Sequence, residues 1–266
     1  MIEKISIIGG GNLGTALALG LIKNGGYKPE DVFVTRRHPE RMKKLKEKGI
    51  NTGNDNLIAV KKSKIIILAV QPTQMEALLT DIKASIPTDA IIVSVVSAYS
   101  TADIGAITGE KNTIIRAMPN VAIALGESIT CLASNGTGDK DLSKVQSLFN
   151  KLGQSLIIDE TLMGAATILG ASGIAFFLRM IRAVSQGGIQ LGFHAEEAQL
   201  IASQTAKGAA SILIESGNHP EREIDKVTTP RGLTITGLNE MEHNGLSSSL
   251  IKGIITSFKE IEKLKK

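Results

Sequence analysis

Tryptophan is absent from this chain, tyrosine occurs twice and phenylalanine six times in 266 residues. A surface that stacks single-stranded nucleic acid needs aromatic platforms, so that class is disfavoured at once. Charge of one sign is also scarce. Thirty Lys and Arg stand against 26 Asp and Glu, a net charge of +4. That is too dilute for a dedicated nucleic-acid binder, which clusters its charge, and no nucleic-acid partner is expected. Cys131 is the one cysteine. It can form no intrachain disulfide, and no Cys pair exists to hold structural zinc. The four His are scattered, so no metal is expected, and a reducing compartment fits best.

Two further absences bear on location. Met1-Ile2-Glu3-Lys4 leads straight into an apolar strand, without a basic leader or a signal-type apolar block, so a cytoplasmic protein is expected. Thr161 to Leu178 carries no formal charge and reaches the length of a membrane span. Gly164, Gly170 and Gly173 interrupt it, however, and Arg179 and Arg182 follow on the same helix. It reads as a buried helix of a soluble protein, with no membrane partner.

What is present is an ordinary globular composition, 42% apolar and 21% charged, on a chain long enough for two domains. β-rich runs at Lys4–Ile8, Val32–Thr35, Ile65–Val70, Ile91–Val95 and Thr113–Ala117 alternate with helical patterns at 12–23, 39–48 and 74–84. Ile129–Ala133 and Leu156–Ile158 read as outer strands. The alternation predicts an α/β fold, a Rossmann-type doubly wound parallel sheet. From Thr161 onward only helical patterns occur, at 163–169, 175–191, 196–215 and 247–263. The expected division is therefore a sheet domain over residues 1–160 and an all-α domain over 161–266. Residues 161–215 carry more apolar and small side chains than one helical layer can bury, which predicts an obligate dimer interface.

The chemistry begins at Gly9-Gly10-Gly11-Asn12-Leu13-Gly14, between the first strand and the first helix. This is G-x-G-x-x-G in the context its physics requires. Gly9 permits the tight turn, Gly11 lets backbone N–H groups approach a pyrophosphate, and Gly14 lets helix and strand pack closely. The second strand ends Thr35-Arg36-Arg37. A site for NAD usually has a carboxylate there for the ribose 2′-hydroxyl, whereas two guanidiniums suit a 2′-phosphate. NADPH is the expected cofactor, with NADH as the alternative. Ala69-Val70-Gln71-Pro72 ends the third strand, where such sheets meet the nicotinamide half. Val95-Val96-Ser97 ends the next.

Gly10-Gly11-Asn12-Leu13, Ala69-Val70-Gln71-Pro72, Arg116-Ala117-Met118-Pro119-Asn120 and Leu169-Gly170-Ala171-Ser172-Gly173 occur in the order found in pyrroline-5-carboxylate reductases. The most specific piece is Val227-Thr228-Thr229-Pro230-Arg231-Gly232-Leu233-Thr234, which resembles that family's V-[ST]-[ST]-P-x-G-x-T signature. The resemblance spans essentially the whole chain. It implies reduction of (S)-1-pyrroline-5-carboxylate to L-proline, and a helical C-terminal domain that forms a homodimer, with dimers able to build a decamer. It implies Asn12, Leu13 and Asn56 beside the cofactor. It further implies Ser172, Val227, Thr229, Gly232, Leu233 and Thr234 around the substrate, with Thr234 assisting at nitrogen. On the residues alone, the turn before Leu233 can equally be a helix cap made by Thr228 or Thr229.

The chain departs from the family pattern at Gln71, Ile174, Phe176, Gln186 and Arg231, which bears on the shape of the substrate pocket. Two other readings remain open. A 3-hydroxyacid dehydrogenase shares this layout but relies on a lysine acid in its first long interdomain helix, and no Lys occurs between Lys151 and Lys207. A non-catalytic NADP-binding regulator would not need to keep a substrate loop.

Overall fold

The computed structural model describes residues 3–136 and 139–263. In it the chain divides into two compact units. One runs up to Ser172 and takes the chain in again from Phe258; the other is Gly173–Ser257.

The first unit is built on strands β1 (Ile5–Ile8), β2 (Val32–Thr35), β3 (Asn51–Gly53), β4 (Ile65–Leu68), β5 (Ile91–Ser94), β6 (Ile114–Met118), β7 (Ser128–Ser134) and β8 (Gly153–Ile157). They form one sheet in the order β3-β2-β1-β4-β5-β6-β7-β8. Every pairing is parallel except β6 with β7. That exception departs from the parallel expectation. β6 reaches β7 through a single tight helical turn, Val121–Leu125, and a link this short cannot make a parallel crossover. The order reverses between β1 and β4, the switch point at which such sheets bind ligands.

Side-chain alternation builds a core on each face of the sheet. Ile5, Ile7, Ile65, Ile67, Ile91 and Val93 pack on one face. They meet Leu17 and Leu21 of α1 (Asn12–Lys23), Leu45 of α2 (Lys43–Glu47), and Val145 and Phe149 of α6 (Asp139–Asn150). Ile8, Ile66, Leu68 and Ile92 face the other way. There they meet Val60 of α3 (Asn56–Lys61), Leu79 of α4 (Met75–Ile82) and Ile104 of α5 (Thr101–Thr108). Burial on both faces is why these strands read as unbroken runs of Ile, Val and Leu. Each such side chain contributes about 1.5–3 kcal/mol.

The remaining helices are α7 (Met163–Ala166), a widened turn over Thr167–Ser172, α8 (Gly173–Gln190), α9 (Ala195–Ser216), α10 (Pro220–Val227), α11 (Leu233–His243) and α12 (Leu246–Lys263). The pattern change near Asp159 marks the end of the sheet, but the first unit continues to Ser172. Met163 and Ala166 pack there with Met118 and Ala133.

The expected buried helix over 161–178 needs correction. Glu160–Gln190 is long and apolar enough, by length and composition, to cross a bilayer. Met163, Ala166 and Ile168 are buried, whereas Phe177, Leu178 and Val184 lie exposed in the single chain. In the second unit α8 and α9 pack closely, and a Cβ on Gly188 would meet the Cβ of Ala198 at 3.0 Å.

Candidate active site

A cleft of about 920 Å³ opens at the carboxyl ends of β1, β2 and β4. Gly9, Gly10 and Gly11 line it, with Thr35, Arg36, Arg37, Asn56, Ala69, Val70 and Gln71. The structure thus gathers ten of the residues expected at a cofactor. His38, Asn54, Thr73, Gln74, Ala77, Leu78 and Asp81 also line it and were not anticipated. Asn54 precedes Asp55, which caps α3 by accepting from Ile58 N–H at 3.0 Å.

The glycine turn is shaped by close approach. Gly9 has φ +118°, and a Cβ there would lie 2.4 Å from the Ala69 carbonyl oxygen. A Cβ on Gly14 would lie 2.0 Å from the Gly9 oxygen. Gly11, by contrast, has open space where a Cβ would stand. Its smallness serves no packing within the protein, so that space suits a ligand drawn against the backbone. No side chain caps α1, leaving the N–H groups of its first turn to bind an anion. Asn12, Leu13 and Gly14 belong to that turn and do not line the cleft; Leu13 packs against the core.

The Thr35 carbonyl accepts from both Gly9 N–H (3.1 Å) and Gly10 N–H (2.7 Å). Arg36 Nη1 donates to the Gly10 oxygen at 2.9 Å. The two arginines are therefore not equivalent. Arg36 braces the loop, while Arg37 makes no hydrogen bond or ion pair among the described residues. Gln71 and Gln74 cap one another across a short turn that Pro72 begins, the Gln71 N–H reaching Gln74 Oε1 at 3.2 Å. Pro72 shapes this turn without lining the cleft.

The second-unit segment is a tight turn between α10 and α11. Gly232 N–H donates to the Thr229 oxygen at 2.8 Å. Arg231, at φ +60°, occupies the left-handed position that turns of this kind usually give to Gly. Gly232 stands at the N-cap of α11 with no side-chain cap. Thr228 Oγ1 turns back to the Asp225 oxygen at 3.2 Å. Neither Thr228 nor Thr229 caps the helix, so the capping alternative does not hold. Thr234 lies exposed in the uncapped first turn. Leu233 is 94% exposed and Val227 is also exposed. Ser172 closes the widened turn in the first unit, half-buried. Among the described residues no group of His, Cys, Asp and Glu could hold a metal ion.

The site can therefore take a phosphate-bearing nucleotide in the cleft, and the α11 turn can take a small anion. Comparison with known proteins gives this arrangement a context. Residues 160–264 match the family described as pyrroline-5-carboxylate reductase dimerisation. Residues 4–98 match the family described as NADP oxidoreductase, coenzyme F420-dependent. The chain is 43% identical to pyrroline-5-carboxylate reductase 2 of Dictyostelium discoideum, over 98% of this chain and 93% of that protein. It is 46% identical to pyrroline-5-carboxylate reductase 1 of the same organism over 95% of this chain, but spans only 48% of that longer relative. The fold is also that of a Plasmodium falciparum pyrroline carboxylate reductase crystallised with NADP bound. That match has a TM-score of 0.90 at 23% identity, covering 99% of this chain and 98% of the other.

Proposed function

The chain belongs to the pyrroline-5-carboxylate reductase family, and from that premise we propose that it reduces (S)-1-pyrroline-5-carboxylate to L-proline with NADPH, as the last step of proline biosynthesis. The observation that carries the reading is the Val227–Thr234 segment. Its turn ends at an uncapped helix whose first residues are Leu233 and Thr234. A side-chain cap supplied by the chain itself would take up one of the N–H donors that a substrate carboxylate can use here.

The residues of the cleft fit NADPH. The backbone around Gly9 and Gly14 has no room for a Cβ, the first turn of α1 is uncapped, and Arg37, without a partner among the described residues, suits a 2′-phosphate. NADH lacks that phosphate and would bind more weakly. When bound, the reduced dinucleotide supplies the hydride.

The chain's own residues hold and orient. Ala69, Val70 and Gln71 offer the wall on which the nicotinamide half rests. The N–H groups at the start of α11 hold the substrate carboxylate, with Ser172, Val227, Thr229, Gly232 and Leu233 around it. The Thr234 hydroxyl donates to the ring nitrogen, which becomes more basic as hydride reaches carbon. A pyrroline can also be protonated by solvent, so no Asp, Glu, His or Lys acid is required.

The same reading assigns residues 1–160 to the dinucleotide and 161–266 to substrate and dimerisation. The working form is a homodimer through the exposed apolar faces of α8 and α9, which can assemble further into a decamer. A cytoplasmic setting suits the single Cys131. NADPH oxidation with pyrroline-5-carboxylate, set against a 3-hydroxyacid assayed in reverse, tests the assignment. Turnover of the hydroxyacid alone, or of neither, would overturn it.

A further inference from the structure

The turn from β5 to α5 is held in an unusual way. Ala98, within it, has φ +59°, the left-handed region that disfavours a residue bearing a Cβ. Its two ends are fixed. Val95 N–H donates to the Leu68 oxygen at 3.0 Å. At the other end Thr101 donates twice to Glu160, from its N–H to Oε1 at 2.7 Å and from its hydroxyl to Oε2 at 2.6 Å. Arg116 Nη1 reaches the same Oε1 at 3.2 Å. Ser100 and Asp103 cap α5 separately.

Packing alone does not hold this turn. Ala98, Arg116, Glu160 and Thr167 line a cavity of about 410 Å³, which leaves room for it to relax. Arg116 is 7% exposed, and its Nε has no hydrogen-bond partner among the described residues. A buried ion pair that leaves a donor unsatisfied is a poor device for stability, since well-packed apolar residues of similar volume often do as well or better. Its value lies in geometry.

The turn also stands where geometry counts. β5 pairs with β4, Ser94 opposite Leu68. The residues after Leu68, from Ala69 to Gln71, line the dinucleotide cleft. A ligand at the carboxyl edge of such a sheet extends from the glycine turn across the ends of these neighbouring strands.

We propose that Glu160 is a positioning residue: by gripping Thr101 and Arg116 it holds the left-handed turn at Ala98, and that turn seats the nicotinamide half of the cofactor. The inference rests on the functional reading above, and its binding test does not require the reaction. Adenosine 2′,5′-bisphosphate, the adenine half alone, and whole NADPH are titrated calorimetrically into the full-length protein and its Glu160→Gln, Thr101→Val and Thr101→Ser variants. Glu160→Gln and Thr101→Val should bind the bisphosphate like the parent but NADPH roughly tenfold more weakly. Their kcat should fall by about tenfold or more. Thr101→Ser, which keeps the hydroxyl donor, should restore both. Parallel loss of both ligands, or a lower melting temperature with unchanged NADPH affinity, overturns the proposal. A parent protein that binds NADPH in this Glu160-dependent way yet does not reduce pyrroline-5-carboxylate overturns the functional reading and leaves this one standing.

Discussion

The two units solve burial differently. In the first, strands such as Ile65–Leu68 are buried on both faces and helices cover both sides of the sheet. In the second, Ala198 and Ala202 are the buried apolar side chains, while Phe177, Leu200, Ile201, Ile212 and Ile214 lie open. A monomeric surface rarely leaves so much apolar area uncovered. The first unit makes its own core, whereas the second presents half of one. Motif-bearing residues follow the same division. The residues that line the cleft all belong to the first unit, and the α11 turn stands on the unit that leaves its apolar face open.

The sharpest way to break this contrast is Ile212→Glu on α9. Burying an unpaired carboxylate between subunits costs several kcal/mol, about 100-fold or more in the dimer dissociation constant. Sedimentation should show dissociation or aggregation with activity lost, while NADPH titration shows the cleft intact. A stable, active dimer would mean that this face is not the interface.

Within the cleft, Arg37→Ala should weaken NADPH by about 1.5–3 kcal/mol and leave NADH little changed. Arg36→Ala should weaken both cofactors together, because Arg36 braces Gly10. The two Michaelis constants measured for each variant separate these roles. Equal loss of both cofactors from Arg37→Ala would refute the phosphate assignment.

In the second unit, Thr234→Ala should lower kcat/KM by roughly 10–100-fold, between one neutral hydrogen bond and full general-acid help. The loss should grow at high pH, where solvent no longer protonates the imine. Thr234→Ser should keep most activity. Full activity of Thr234→Ala from about pH 6 to 9 would move the proton-donor role to water.

A matched glycine pair sharpens the contrast further. Gly14→Ala drives a Cβ onto the Gly9 oxygen and should cost about 1–3 kcal/mol in denaturant unfolding. Gly187 in α8 has nothing within 4 Å in the single chain. If a partner helix approaches there, Gly187→Ala loosens the dimer. A gain of about 0.4–1 kcal/mol, usual for Gly→Ala in an open helix, would mean that the face meets water.

The smallest expected effect is electrostatic. The hydrogen bonds from Ser100 hold the Asp103 carboxyl below its usual pKa, and nearby Arg116 adds to this. A lowered folded-state value means stability that is complete above the unfolded value, about 3.9, and lost as pH falls through the lower folded value. Asp103→Asn should therefore flatten the fall of melting temperature between about pH 5 and 2. An unchanged slope would leave Asp103 without this role.

Much of the first unit was legible because its signals are local. Ile5–Ile8 and Ile65–Leu68 are short apolar runs, and Gly9–Gly14 sits between a strand and a helix. β3 leaves no local signal, because Asn51-Thr52-Gly53 is a short polar edge strand without alternation. The elements expected from the sequence do not include α3, α5, α6 or α10, and α11 is among them only as the helix that the substrate turn enters. α3 is a six-residue, mainly apolar run that periodicity cannot tell from a strand. α10 has only Ile224 and Val227 as apolar positions, and α5 depends on its capping by Ser100 and Asp103. Leu142, Val145, Leu148 and Phe149 of α6 do stand at helical spacing. The stretch over 39–48 is a tight turn, Pro39–Met42, followed by the short α2 rather than one helix.

By itself the sequence determined the strand–glycine–helix unit, the missing carboxylate after β2 and the turn before Thr234. Each depends on residues within a few positions of one another, where φ preference and hydrogen-bond reach act directly. Only the tertiary structure decided that Arg36 braces Gly10 while Arg37 makes no hydrogen bond or ion pair among the described residues. It alone brought Thr101 and Arg116 onto the Glu160 carboxylate. Those groups lie 44 and 59 residues from Glu160 in the chain. No local pattern encodes such a meeting; it follows from the order in which the strands pair.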